Sequence, residues 1–573
     1  MNKSVKVFII GLVVIVLVGI IGIIAVMEMF KPNDEVENLN NYFGVTNDKE
    51  AVLVLQNEIY DKKASYENGE VYVDLSLVNE RFNKRFYWDK NEKVLIYTFP
   101  EQMMVIKPDS KTYSIDGKDK DYDKVIVKID DDVVKVALSF VQKYSDIECS
   151  YYNDPMRIVV RYIWDEEETT YSIEQDTQLR TDASSKSKIL KELKAADKVV
   201  YLSEDNTKIS KGYIKVITDD GIVGYVKESA LGKLQSEKPQ SKFEAPVYTN
   251  ISKDYDINLT WNVISNATAN GFIKKYLDSV EGVTTVSPTW FSLADTSGNI
   301  NSLASEDYVK EVHNKGMEVW ALVDDFSTDV KVSDVLGTTS SRQKLISNLM
   351  KEIKKYNIDG INVDFEKIKS DFAADYIEFI RELSIECRKN KIVLSIDSYV
   401  PMSYSSYYDR KEQGIVADYV IIMAYDEHYA GSEESGSVSS ISWVKSAVNN
   451  TLEQVSDSKK VIIGIPFYTR IWEEEMNTDG TSTLIGSKAY GMEEAKQILM
   501  DNGALINWDN DTMQNYAEYS KNGHLFRTWI EDTKSIDAKL QVICDADVAG
   551  VASWRLGFES KDVWKTIKSH LNK

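Results

Sequence analysis

The chain has few of the residues that build metal sites or disulfide frameworks: three cysteines and four histidines in 573 residues. Cys149, Cys387 and Cys544 stand far apart and are odd in number, which yields neither a disulfide framework nor a zinc pattern. His313, His428, His524 and His570 show no metal-ligand spacing, so chemistry without a metal or cofactor is expected. Basic charge is short as well. Lys+Arg 68 against Asp+Glu 91 leaves a formal charge of −23, whereas a nucleic-acid partner needs a basic stripe. No Walker loop and no dinucleotide fingerprint occurs.

The length suggests about three or four domains. Val7 to Met27 is an uninterrupted apolar run. At 1.5 Å per residue it is long enough to cross a ~30 Å hydrocarbon core. Lys3 and Lys6 precede it, and Asp34 and Glu35 follow soon after Lys31. This orientation signal predicts a signal anchor over 1–35, with a cytoplasmic N-terminus and the bulk of the chain outside the cell membrane. A cleaved signal peptide is the alternative, but the run is long for one and no A-x-A site follows.

Residues 36–166 carry short alternating strands such as Val71-Tyr-Val-Asp-Leu75, Lys93-Val-Leu-Ile-Tyr97 and Arg157-Ile-Val-Val-Arg-Tyr162, with helical patches between them. This α+β segment reads as a stalk or binding module. Residues 167–234 hold strands close together, among them Gly212-Tyr-Ile-Lys-Val-Ile217 and Gly221-Ile-Val-Gly-Tyr-Val226, as in a small β-barrel. Residues 235–247 are polar, hold two prolines and show no periodicity, so they read as a linker.

From 248 to 573 strand-like apolar runs alternate with helical patterns. Eight runs qualify: 257–261, 283–286, 317–323, 358–365, 392–396, 419–424, 461–465 and 550–554. Eight strands with helices between them predict an α/β fold, a (β/α)₈ TIM barrel. The long gap before the last strand should hold a small α+β insertion, about 471–528.

The stretch Asp359-Gly-Ile-Asn-Val-Asp-Phe-Glu366 is where chemistry is expected. Ile361, Val363 and Phe365 alternate with Asn362, Asp364 and Glu366, so on a strand the polar set shares one face. Acidic residues at a strand end are often only solvated or capping a helix. In a barrel of this kind, however, the active site lies at the C-terminal strand ends. Asp359 has the opposite parity to Glu366 and should be structural.

This stretch resembles the signature strand of glycoside hydrolase family 18, D-G-x-D-x-D-x-E, met at Asp359, Gly360, Asp364 and Glu366 and departed from at Asn362. Met423-Ala-Tyr-Asp426 resembles the family's M-x-Y-D. Gly464-Ile-Pro-Phe-Tyr-Thr-Arg470 is similar to G-x-P-x-Y-G-R, with Thr469 in place of glycine and Tyr468 kept. Trp554 stands where the family keeps a tryptophan, and Trp529-Ile-Glu-Asp532 is similar to the segment before the last helix and strand. The third strand departs, reading Leu322-Val-Asp-Asp-Phe326, which argues against a plain chitinase.

The resemblance implies hydrolysis of β-1,4 bonds at N-acetylglucosamine, with the substrate's own acetamido group as nucleophile. Glu366 would be the acid, Asp364 would orient the acetamido N–H and Tyr425 would bond its oxygen. Asn362, Asp426, Met423, Tyr468 and Trp554 would form the sugar site. Peptidoglycan is the expected substrate. Chitin, or a sugar-binding protein without turnover, are the alternatives. Segment 36–166 resembles the copper amine oxidase N-terminal domain, a name that implies no copper here because the segment has no histidine. Segment 167–234 resembles a bacterial SH3 domain, which implies a cell-wall peptide as partner. Trp261, Trp290, Trp320 and Tyr399 are candidates to stack on sugar rings, and His428 reads as a surface histidine.

Overall fold

A computed structural model describes residues 2–202 and 212–571. It divides into two compact units. One holds Met1–Phe86, Ile106–Tyr113 and Lys120–Ala245, the other Tyr87–Val105, Ser114–Asp119 and Pro246–Lys573.

In the first unit, Lys3–Phe30 is a single helix. Among the described residues it is the one helix long and apolar enough to cross a membrane, with a mean hydropathy of 3.4 over its most apolar 18 residues. Two sheets follow. One is mixed, with Glu50–Leu55 parallel to Arg157–Arg161 and antiparallel to Ala64–Glu67. The other has seven antiparallel strands, from Glu168–Ile173 to Leu231–Glu237. Residues 203–211 of the expected β-barrel segment lie outside the described residues. The supposed linker starts late, because Gln235 to Glu237 still pair with Thr170 to Glu168. Backbone pairing needs no side-chain periodicity, so the sequence pattern missed it.

The second unit is built on eight parallel strands, labelled β1 (Ile257–Asn262), β2 (Thr285–Leu293), β3 (Glu318–Asp324), β4 (Gly360–Asp364), β5 (Val393–Tyr399), β6 (Tyr419–Met423), β7 (Val461–Pro466) and β8 (Gly550–Trp554). Each pairs with the next, and β8 pairs with β1, which closes the barrel. Alternation sorts the side chains. Ile361, Val363, Leu394 and Ile396 face the helices and join the large outer core. Leu259, Trp261, Trp320, Leu322 and Ile421 fill the interior. Gly360 must be glycine, since a Cβ there would sit 2.7 Å from Cδ1 of Trp320. β4 is shorter than the alternating run suggested, so Glu366 stands just past its end. The following helix, α1 (Ala373–Asn390), ends at Lys391 in a left-handed conformation whose N–H bonds the last turn.

The insertion is present. It begins at Tyr468, directly after β7, and consists of five antiparallel strands running to Ile530 with helix Met492–Asp501 between them. Thr469, the residue in place of glycine, is buried, and its hydroxyl accepts the Glu531 N–H at 2.8 Å. Glu531 is itself buried and takes both Gln514 Nε2 (2.7 Å) and Lys539 Nζ (2.8 Å). The Trp529–Asp532 segment therefore pins the insertion to helix α2 (Thr533–Asp545). Removing one partner of a buried pair strands the other's charge. Lys539→Met should accordingly cost about 3–5 kcal/mol in a denaturant titration.

Candidate active site

A cleft of about 260 Å³ opens at the C-terminal ends of the barrel strands. Its lining includes Asp364, Glu366, Met423, Tyr425, Asp426, Tyr468 and Trp554, which are seven of the eight expected site residues. Trp261, Phe326, Asp397, Tyr399, Arg470, Ala489 and Phe558 complete it. Asn362, the eighth, is fully buried one level deeper.

Glu366 is held on two sides. Its backbone N–H and that of Lys367 donate to the Asp325 carboxylate at 3.0 and 2.9 Å, which fixes the chain where β4 ends. Its Oε2 accepts the Tyr399 hydroxyl at 2.6 Å. Burial is the main cause that lifts the Glu366 carboxyl above the ordinary range. The Tyr399 bond opposes this, while Asp325, Asp426 and Asp324 add to it. The β3 departure, Asp324-Asp325, is thus explained: Asp325 is a clamp on the loop that carries Glu366. Asp325→Ala frees both amides, and a slightly misplaced acid costs far more in turnover than in binding. The expected result is a fall in kcat of at least about tenfold with KM nearly unchanged, read from initial rates.

Asp364 is buried, and its Oδ1 has no hydrogen-bond partner. Burial first, then the neighbouring Asp397 and Glu366, hold it well above the usual carboxylate range. Asn362, two residues earlier on the same face, makes no hydrogen bond to Asp364. Its Nδ2 instead donates to Asp397 Oδ1 at 2.8 Å, and its Oδ1 accepts from Trp261 Nε1 (2.9 Å) and Ser287 Oγ (3.0 Å). The amide is spent on β1, β2 and β5. Residues two apart on a strand lie about 6.5–7 Å apart, too far for a direct bond when the barrel wall offers nearer partners. Trp261 Nε1 also donates to Asp397 Oδ2 at 3.2 Å. Burial pushes Asp397 up to about 8, against those two donors.

On the opposite wall, Tyr468 donates its hydroxyl to Asp426 Oδ1. Asp426 has φ 54°, a left-handed conformation that aspartate tolerates better than most residues. The Tyr425 ring stands edge-on to Tyr468 (6.3 Å, 78°) and to Trp261 (6.4 Å, 87°). Gly464 permits this: a Cβ there would lie 3.3 Å from Tyr425 Cε1 and 3.2 Å from Trp261 Cη2. Trp554 packs on Trp261 at 5.9 Å and lines the cleft.

The stacking candidates separate. Trp290 and Trp320 are buried and spend their N–H groups on Asn270 and Glu318, so they are core. Trp261 is also buried, although it borders the cleft. Tyr399 does reach the cleft, but its hydroxyl serves Glu366. Asp359 accepts the Val319 N–H at 2.9 Å and pairs with His313 Nε2 at 2.7 Å on the far side, in line with a structural role. His428 is half-buried against Gly436. Sequence reasoning missed Asp397 and Arg470 as site residues. The alternation Ser395-Ile-Asp-Ser-Tyr399 carried a signal, since it gives Asp397 and Tyr399 the same inward parity as Val393.

Closed barrel, carboxyl at the end of β4 and aromatic floor together define a (β/α)₈ glycosidase. The chain belongs to the glycosyl hydrolases family 18, whose model matches residues 237–559. That family acts on N-acetylglucosamine-containing glycans, and the relatives of this chain include cortical fragment-lytic enzymes and chitinases. A second match covers residues 53–160, to the copper amine oxidase N-terminal domain. Among curated relatives, the uncharacterized glycosylase YvbX of Bacillus subtilis (strain 168) is 28% identical over 292 residues, 48% of this chain and 81% of that protein. The cortical fragment-lytic enzyme of the same organism is 22% identical over 246 residues, 42% of this chain and 56% of that one. Among solved structures, the C-terminal domain of a proposed chitinase from Desulfitobacterium hafniense DCB-2 aligns with a TM-score of 0.50 at 24% identity. It covers 56% of this chain and 100% of that one, and it shares the fold.

Proposed function

We propose that this protein is a membrane-anchored, extracytoplasmic glycosidase that cuts β-1,4 bonds at N-acetylglucosamine in peptidoglycan, with retention and with the substrate's acetamido group as nucleophile. The observation that carries the reading is the pair Asp364 and Glu366 in one cleft with Tyr425, Asp426 and Trp554. A glycosidic oxygen is a poor leaving group, and a carboxyl whose proton is held by burial suits its protonation. Asp364 is deeper, and burial with the neighbouring Asp397 and Glu366 holds its carboxyl above the usual range, which disfavours it as a nucleophile toward C1.

The steps then balance without an enzyme nucleophile. Glu366 gives its proton to the leaving oxygen as the C1–O bond breaks. The acetamido oxygen closes on C1, while Asp364 accepts the acetamido N–H and bears the developing charge. Tyr425 bonds the acetamido oxygen, Asp426 and Tyr468 hold that sugar, Met423 packs beside it and Trp554 lies under its apolar face. Water then gives a proton to the Glu366 carboxylate and attacks C1, which restores the acid and retains the configuration.

Peptidoglycan is favoured over chitin by the apolar N-terminal helix, read as an anchor facing the cell's own wall, and by the names of the cortical fragment-lytic relatives. The 167–234 segment, read as an SH3-type module, would hold a wall peptide. The test is digestion of purified peptidoglycan with the full chain, followed by analysis of the new reducing ends. New N-acetylglucosamine ends are expected. No new ends on peptidoglycan beside rapid cleavage of chitin would move the substrate to chitin, and none on either would leave a sugar-binding protein.

A further inference from the structure

β5 lies beside β4 in parallel register, with Asn362 level with Ser395 and Val363 with Ile396. One step further along the same register brings Asp364 level with Asp397. The backbones there are about 4.8 Å apart, and registered neighbours face the same side. Two steps further, Glu366 comes level with Tyr399, whose hydroxyl it accepts at 2.6 Å. Each carboxyl of the β4 pair therefore has one partner on the inner face of β5, in matching order.

The partners act in opposite senses. Tyr399 donates to Glu366 and so favours its charged form. Asp397 brings a second carboxyl beside Asp364, and two neighbouring carboxyls resist ionising together. Between them, Asp397 is the better equipped to hold a charge. It accepts Asn362 Nδ2 at 2.8 Å and Trp261 Nε1 at 3.2 Å, whereas Asp364 Oδ1 is buried without a partner. An acetamido N–H would supply the donor that Asp364 lacks.

We propose that β5 is a second functional strand of this site. The first negative charge of the Asp397–Asp364 pair forms on Asp397 in the empty cleft and passes to Asp364 when the sugar binds, while Tyr399 steadies the Glu366 carboxylate after its proton has left. The charge passes by movement of a single proton from the Asp364 carboxyl to the Asp397 carboxylate, so nothing is gained or lost by the pair. Both are positioning residues, and the inference rests on the roles proposed above for Glu366 and Asp364.

Other charged groups bear on the same pair. From β3, Asp324 and Asp325 raise both carboxyls, and from beyond β6, Asp426 raises Glu366. Arg470, after β7, is the cation of the cleft lining, and its Nη1 donates to Ser487 Oγ at 3.1 Å. None of these is altered by changes on β5, so limb shifts caused there can be read separately.

The experiment is kcat/KM against pH on a β-1,4-linked N-acetylglucosamine oligosaccharide, whose unactivated leaving group needs the acid. Tyr399→Phe removes a donor to the charged form of Glu366, so the acid keeps its proton to higher pH. The basic limb should rise by about one unit, with plateau kcat down about tenfold and KM nearly unchanged. Asp397→Asn removes the competing charge, so Asp364 ionises more easily and the acidic limb should fall by about one unit.

Asp397→Asn alone loses one hydrogen bond to Asn362 or Trp261 and so puts folding at risk. The exchange Asn362→Asp with Asp397→Asn keeps every bond of the trio, with the one between residues 362 and 397 reversed. It restores a carboxyl near Asp364, so the acidic limb should return toward the wild-type position. If neither limb moves in the single variants while Glu366→Gln is inactive, this inference falls and the catalytic reading stands. If Asp397→Asn does not fold, an acidic limb in the exchange variant more than about one unit from wild type overturns the shared charge. Full activity of Glu366→Gln would remove the ground under both.

Discussion

Glu366→Gln should fold, bind sugar and turn over at least about 10²-fold more slowly than the parent, the low end for removal of a general acid. The substitution is conservative in every respect but one. Glutamine keeps the size of the side chain, and its Oε1 can still accept the Tyr399 hydroxyl that Glu366 takes at 2.6 Å. The clamp from Asp325 acts on backbone N–H groups and is indifferent to the side chain. What is lost is the transferable proton. The effect should therefore fall on kcat, with KM and oligosaccharide affinity little changed, the pattern of an interaction made only in the transition state. Rates on wall glycan and on chitooligosaccharide, beside a binding isotherm and a melting curve, decide it. Near-normal turnover would sink the assignment of the acid.

Glycan stripped of its N-acetyl groups should not be cut at a measurable rate, and a thiazoline analogue of the bicyclic intermediate should inhibit. Without the acetamido oxygen there is no atom to close on C1. The protein offers no ready replacement: Asp364 is buried and held well above the usual carboxylate range, and Glu366 is committed to the leaving group. An enzyme with its own carboxylate nucleophile would behave differently, leaving a glycosyl-enzyme adduct and accepting deacetylated substrate. Matched polymers that differ only in acetylation separate the two. Efficient hydrolysis of the deacetylated polymer, or a trapped covalent adduct, would overturn the substrate-assisted route.

Asn362→Asp adds a carboxyl to the barrel interior two residues from Asp364. The side chain at 362 meets Asp397, Trp261 and Ser287. A carboxyl there would lie against Asp397 and share its proton, so the added charge would be spent within that pair. The expected shift of the Glu366 limb in Asn362→Asp is accordingly small, and the pH profile that checks the β5 variants checks this one as well.

The sequence by itself determined the class of fold and placed Glu366 at the end of its fourth strand. Eight apolar runs separated by helical patterns fix a barrel because each strand must bury one face against helices and the other in the interior. The run from Asp359 to Glu366 needs only period-two alternation to put Asn362, Asp364 and Glu366 on the inner face. The apolar helix at the N-terminus was equally plain, since its signal lies in uninterrupted composition.

The hydrogen bonds between strands were decided by the tertiary structure. Asp325 reaches Glu366 across 41 residues, Asn362 reaches Asp397 across 35 and Trp261 reaches Asn362 across 101. Such partners depend on register and on how the closed barrel staggers its strands, and no local period encodes either. The same holds for Thr469, whose hydroxyl has a purpose only because Glu531 is folded back against it. Local alternation therefore selected which side chains face the cleft, while barrel closure set the charge that surrounds each of them.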